Sequence, residues 1–190
     1  GLDHAHRRSL IHRDIKPGNI MIAPDGHTSI MDFGIVKESD NDTLTKTGIV
    51  FGTPDYMAPE HAQGQPPSPE TDLYSLGIVA YEMLTGEQPF RGGTPFSLVL
   101  KHIKEPPPPL IKRRKDLDQA FQDVIFKSLE KKPEDRYSSA QQMAEALTSL
   151  TFSVAKSPTI PTPTSEKHAT PPPRPSKAVA EMTHPGPPPT

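Results

Sequence analysis

The sequence predicts an α+β fold that is mostly helical, with one short β-hairpin near its start and a proline-rich tail outside the core. Three observations carry this. Two short runs, near 20–22 and 28–31, flank a turn at Pro24-Asp25-Gly26 and read as paired strands. From Ser68 to Leu150 the apolar residues recur at helical spacing instead. After residue 157 that periodicity stops and the chain's 25 prolines thicken. Such a segment has too little apolar surface to offset the entropy of ordering it.

The opening "GLDHAHRRSL" reads like the inside of a helix, with Leu2, Ala5 and Leu10 apolar and no signal-peptide core or initiator Met. The expectation is that something precedes it. "SLIH" (9–12) is a short apolar entry to a loop, and the hairpin follows. Residues 35–57, rich in Asp, Thr and Gly, are expected as a long loop of the kind that is usually functional or disordered. Ser68-Pro69 suits a cap and first helical residue. "ETDLYSLGIVAYEMLTG" then runs apolar almost all round, as a central buried helix does, and Gly86 is placed to end it.

"TPFSLVLKHI" (94–103) is a shorter helix, and the four prolines 106–109 block its continuation. "DLDQAFQDVIFKSLEK" (116–131) carries Leu117, Phe121, Val124, Ile125 and Leu129 on one stripe. "SSAQQMAEALTSL" (138–150) opens with Ser138 and Gln141 in capping-box spacing, and Met143, Leu147 and Leu150 form its inner face. No internal repeat is visible. A boundary near residue 152 leaves 153–190 as a disordered, partly polyproline II tail.

Composition narrows the partners. With 21 basic and 23 acidic residues the charge is nearly balanced, so neither nucleic acid nor an acidic polymer is expected. The basic run "KRRK" (112–115) reads as a solvated face. There is no cysteine, hence no disulfide or thiolate metal site, and a cytoplasmic location fits. No apolar run approaches the ~20 residues a bilayer span needs. "PPPRP" (171–175) reads as linker before it reads as a docking motif for an SH3-like domain.

Three motifs stand in order: "HRDIKPGN" (12–19), Asp32-Phe33-Gly34 and Ala58-Pro59-Glu60. Each is weak alone; together, in this order, they are very specific. They match the second half of the protein-kinase signature set. Residues 1–152 resemble the C-terminal lobe of a serine/threonine protein kinase. The wording "MDFGIVK", "GTPDYMAPEHAQG" and "KKPEDRYSSAQQMAEAL" is most similar to bacterial kinases of the PknB-like family.

That resemblance implies transfer of the ATP γ-phosphoryl group to protein Ser/Thr hydroxyls. Such chemistry needs positioning and charge compensation more than covalent catalysis. The resemblance assigns Asp14 beside the substrate hydroxyl and Lys16 on the moving phosphoryl group. Asn19 and Asp32 become oxygen ligands of Mg2+, with Mn2+ as an alternative. Met21 would pack under adenine, so the nucleotide would be held by Lys16, Asn19, Met21 and Asp32. Gly52, Thr53 and Pro54 would form the substrate loop. Thr45 and Thr47, then Thr43, are the expected activation-loop phosphorylation sites, with Arg13 as a partner for the phosphate.

Structural roles are implied as well. His12 would hold Phe33 and the loop. Asp72 would accept hydrogen bonds from the catalytic-loop backbone, and Glu60 would pair with Arg136. His4, His6 and His27 lack ligand spacing and are expected on the surface. The other kinase lobe would bring a glycine-rich loop, a strand lysine and a helix glutamate, and no G-x-G-x-x-G occurs in the chain. The expectation is therefore a fragment, inactive alone, with protein substrates, ATP, the missing N-lobe and a kinase dimer as partners. The alternative is a non-catalytic, kinase-like binding module. In the PknB-like family a proline-rich juxtamembrane linker leads to a membrane helix, and the tail resembles such a linker.

Overall fold

The longest helix organises everything that follows it. In the computed structural model, which describes residues 1–33 and 54–150, helix α1 (Leu2–His6) comes first. Strands β1 (Ile20–Ile22) and β2 (Thr28–Ile30) pair antiparallel, with Ile20 opposite Ile30 and Ile22 opposite Thr28. Helices α2 (Pro59–Ala62), α3 (Pro69–Thr85), α4 (Pro95–Lys104), α5 (Leu110–Arg113), α6 (Gln119–Ser128) and α7 (Ala140–Thr148) complete the order. The boundary near residue 152, the tail beyond it and most of the 35–57 loop lie outside the described residues.

Helix α3 is buried on two sides. Tyr74, Ile78 and Tyr81 pack with Phe90, Leu98, Leu110, Ile125 and Leu129. Leu73 and Val79 pack with Leu2, Ile15, Tyr137 and Met143. Two cores thus share one helix, which is why its sequence is apolar over most of its surface. The all-round reading is corrected at one position: Met83 is 73% exposed. Gly77 lets α6 approach closely, since a Cβ there would overlap Ser128 Oγ and lie 3.0 Å from Leu129 Cδ2.

The helix ends follow elementary capping chemistry. Ser68 N–H donates to Thr71 Oγ1 at 3.0 Å ahead of Pro69. Gly86 adopts φ 74°, a left-handed conformation that glycine takes without steric cost, and its N–H closes on Glu82 O at 2.7 Å. Arg114 Nη1 also donates to Leu84 O at 2.6 Å, a cation on the carbonyls of the helix C-terminus. Thr94 Oγ1 accepts from Ser97 N–H, and Ser97 Oγ accepts from Thr94 N–H, both at 3.1 Å.

Several boundaries differ from expectation. The first helix stops at His6, and Leu10 is 42% exposed rather than part of an apolar face. Helix α6 starts three residues later than the motif 116–131, because Arg114 engages both oxygens of Asp116 and Asp118 caps instead. Helix α7 is capped by Ser139, whose Oγ accepts Gln142 N–H at 3.1 Å. Gln142 Oε1 accepts Ser138 N–H at 3.0 Å, so the cap falls one residue later than Ser138 and the expected reciprocal box with Gln141 does not form. The two arginines of the basic run are paired, Arg113 with Glu87 and Arg114 with Asp116. No described helix is long and apolar enough to cross a membrane.

Candidate active site

The hairpin brings the first two motifs together. Asn19 ends a one-turn 3-10 helix (Pro17–Asn19) and leads directly into β1. Across the ladder, Met31 N–H donates to Asn19 O at 2.8 Å, which sets Asp32 one residue beyond that pairing. His12 then ties the loop to the same strand. Its Nε2 lies 2.8 Å from Met31 O, and its ring sits 4.7 Å from the Phe33 ring, tilted. Asp14 N–H approaches His12 Nδ1 at 3.3 Å. A ring protonated on Nε2 satisfies both contacts. Asp32, bracketed by Met31 and Phe33, has φ 54° and is exposed. For a residue with a Cβ that conformation costs about 1–3 kcal/mol and persists only where the surroundings impose it.

Within the loop, three side chains converge. Asp14 Oδ2 accepts from Lys16 Nζ at 2.8 Å and from Asn19 Nδ2 at 3.2 Å. Asn19 Nδ2 also donates to Asp14 O at 2.8 Å. The buried Asn19 amide therefore holds both ends of Asp14, and its own Oδ1 is left as an acceptor. The ammonium and the carboxylate are each about half exposed, so their contact sits at the surface, where a substrate can reach it.

The loop is anchored from beneath by Asp72 in the first turn of α3. Its Oδ1 accepts Arg13 N–H and its Oδ2 accepts His12 N–H, both at 2.8 Å. Arg13 adopts φ 69°. Its Nε is buried without a partner among the described residues. His6, expected on the surface, is instead buried: its side chain is 6% exposed and its Nε2 lies 2.8 Å from Asp72 Oδ2. No local signal marks this residue, since its partner is 66 positions away. His4 and His27 are exposed.

The third motif is a buried ion pair. Arg136 Nη1 and Nη2 donate to Glu60 Oε1 and Oε2 at 2.8 and 2.7 Å, and each residue is 4% exposed. Arg136 also reaches the carbonyls of Glu130, Glu70 and Lys131, and lies 4.9 Å from the Tyr74 ring centroid. Thr71, which sequence reasoning missed, donates to Glu60 Oε1 at 2.9 Å. Burial pushes the Glu60 carboxyl up, but the Arg136 hydrogen bonds and charge outweigh it. With Glu60's own backbone and Thr71 they hold it below the ordinary value.

Segment 54–58 is clamped to α3. Pro54 is buried, Ser75 Oγ donates to Tyr56 O at 2.7 Å, and Tyr56 Oη donates to Glu82 Oε2 at 2.7 Å. Burial first, then the bond to Glu82, push the Tyr56 hydroxyl up to about 12. Met21 is 51% exposed on β1. Gly34, Thr43, Thr45, Thr47, Gly52 and Thr53 lie outside the described residues.

An Asp-Lys-Asn cluster on a loop, a second Asp delivered by a hairpin, and a buried Glu–Arg pair behind them define a class, the protein kinases. The family model for the protein kinase domain matches residues 1–148, and the chain belongs to that family. It is 46% identical to the serine/threonine-protein kinase PknA of Mycobacterium tuberculosis over 149 residues, covering 78% of this chain and 34% of that protein. It is 42% identical to PknB of Mycobacterium leprae and 40% identical to PknB of Mycolicibacterium smegmatis. Each of these matches covers 75% of this chain and 23% of the relative. The chain thus stands with bacterial serine/threonine kinases and spans about a quarter to a third of the length of these relatives.

Proposed function

We propose that these residues are the C-terminal lobe of a serine/threonine protein kinase, which moves the γ-phosphoryl group of ATP to a protein Ser or Thr hydroxyl. The observation that carries this is the Asp14 carboxylate gripped by Lys16 and Asn19 on a loop joined to Asp32 through Met31. Asp14 orients the hydroxyl and takes its proton as the hydroxyl oxygen bonds the γ-phosphorus and the bond to the departing diphosphate breaks. Lys16 follows the charge of the transferred group.

The donor set fits a hard divalent cation. Asn19 Oδ1 and the exposed Asp32 carboxylate are both oxygen ligands. Among the described residues no group of three or more His, Asp or Glu could hold a metal unaided. Mg2+, or Mn2+, bound there would complete its shell with phosphate oxygens and neutralise their charge. Asn19 and Asp32 are the residues that would hold it, and Met21 would meet the adenine.

Arg13, with its unpartnered Nε, suits a phosphate on the activation loop, for which Thr45 and Thr47 are first candidates and Thr43 third. Pro54, with Gly52 and Thr53, would shape the substrate loop. An intracellular placement, with an anchor beyond the proline-rich segment, belongs to the same reading and rests on resemblance.

The test is Asp14→Asn in the full-length protein, with expected loss of all transfer to a protein substrate; a variant that keeps full activity removes Asp14 from the role. A second reading, a kinase-like binding module, is favoured by the exposed Met21 and Ile22 on β1. Titration of this chain alone with Mg-ATP separates the two. Tight binding supports a catalytic unit, whereas no binding supports the module or a lobe that needs its counterpart.

A further inference from the structure

We propose that His102 is a positioning residue for the substrate loop, holding the main chain at Asp55 through its ring Nε2; this rests on the kinase reading above. Asp55 follows Pro54 in a one-turn 3-10 helix (Pro54–Tyr56) that packs against α4. That turn is already clamped from α3 at the Tyr56 carbonyl and hydroxyl. His102, in the last turn of α4 and wholly buried, adds a hold from a second helix.

The ring is fixed by its neighbours. Its Nδ1 lies 3.0 Å from Tyr74 Oη, the Phe90 ring meets it edge to face at 4.9 Å, and Lys131 Nζ donates to the His102 main-chain O at 2.7 Å. Burial first, then the Lys131 charge, press the imidazole down to about 3, so it is neutral and carries one proton. With Tyr74 donating to Nδ1, that proton sits on Nε2. The opposite tautomer would leave the Tyr74 O–H without an acceptor among the described residues, beside a bare Nε2. Nε2 itself is buried and has no full hydrogen bond among the described residues. The main chain of Asp55 nevertheless acts on the ring and raises its proton affinity, as a carbonyl acceptor does. Nδ1 is taken by Tyr74, so this acceptor falls to Nε2. A residue kept only for packing beside Tyr74 and Phe90 would be apolar and would avoid the unmet N–H.

Substitution separates the two ring nitrogens. In His102→Asn the side-chain oxygen takes the place of Nδ1 and nothing replaces Nε2. In His102→Gln the amide nitrogen takes the place of Nε2 and nothing replaces Nδ1. Each is compared with the wild type in the full-length protein, well below its melting temperature. The readouts are steady-state kinetics on a Ser/Thr peptide and hydrogen exchange at the Met57 amide, which closes the turn on Pro54 O at 3.1 Å. His102→Asn is expected to raise KM for the peptide about threefold to tenfold, with KM for ATP within about twofold, and to speed exchange at Met57. His102→Gln is expected to keep the peptide KM within about twofold of the wild type, although it gives up the Tyr74 bond. The proposal is overturned if His102→Gln raises the peptide KM as much as His102→Asn, because the Tyr74 bond or packing then accounts for the effect. It is equally overturned if His102→Asn leaves the peptide KM or the Met57 exchange unchanged. Should the wild type and Asp14→Asn transfer phosphate equally, the kinase reading fails instead, and Met57 exchange in the two variants alone decides whether His102 holds the turn.

Discussion

Replacing Arg136 with Met is the sharpest test of how the Ala-Pro-Glu segment is fixed. Methionine keeps much of the stem over the Tyr74 ring but removes every donor. Glu60 then keeps a buried charge with only Thr71 and its own backbone to meet it, and three carbonyls lose a partner. Removing one side of a buried, hydrogen-bonded pair costs about 3–5 kcal/mol. Glu60→Gln should cost less, about 1–3 kcal/mol, since Arg136 retains its carbonyl acceptors. Combining the two substitutions should cost less than Arg136→Met alone, because no uncompensated charge remains.

Acidity adds an independent arm to that test. In the wild type the Glu60 carboxyl lies below its ordinary 4.5. The unfolded chain then binds the proton more readily than the folded one. The stabilisation is fully present above 4.5 and is lost as pH falls through the lower folded value. In Arg136→Met burial acts almost unopposed and raises the folded value above 4.5, so acidification relieves a penalty instead. Urea unfolding of both proteins from about pH 7 to about pH 4 should show the gap between them narrowing. A cost under about 1 kcal/mol, or a gap independent of pH, would refute the reasoning.

Other outcomes follow from single contacts. Gly77→Ala should destabilise by about 1–3 kcal/mol despite alanine's better helix propensity, and Ser128→Gly in the same chain should recover part of it, as read from urea midpoints. Lys131, whose ammonium donates to His102 O and lies 4.6 Å from the Phe90 ring centroid, is pressed down to about 8 by burial and then by Arg136. Its folded value lies below the unfolded 10.5, so the unfolded state binds more protons and stability should rise with pH from about 8 toward 10.5. Lys131→Met should abolish that rise; Tyr56, raised to about 12, opposes it only above its ordinary 10. Gly86→Ala should cost about 1–2 kcal/mol by forcing a Cβ into the left-handed region at φ 74°, measured by thermal melting.

Local chemistry made much of this architecture legible. Pro24-Asp25-Gly26 announced the hairpin because the turn demands those residues: Gly26 sits at φ 85°, and Asp25 Oδ1 takes His27 N–H at 2.9 Å. Thr94-Pro95 and Gly86 marked helix ends for equally local reasons. What stayed hidden depended on competition or on distance. Ser138 and Ser139 both satisfy the capping pattern, and the reach of Gln142 decides between them. Asp116 would cap α6 had Arg114 not claimed it. At the candidate site, the nearness of Asp14, Lys16 and Asn19 was readable from their shared motif. The burial of His6 against Asp72 was not, because nothing within a few residues of either records the contact.

The Asp72 anchor grips main-chain amides rather than side chains. An N–H belongs to every amino acid except proline. As far as this anchor is concerned the side chains at positions 12 and 13 are open to revision and the veto falls on proline alone, although His12 fastens the loop a second time through Met31 O. This part of the scaffold holds the backbone of positions 12 and 13 independently of their side chains, so the charge at position 13 can be retuned on an unchanged anchor.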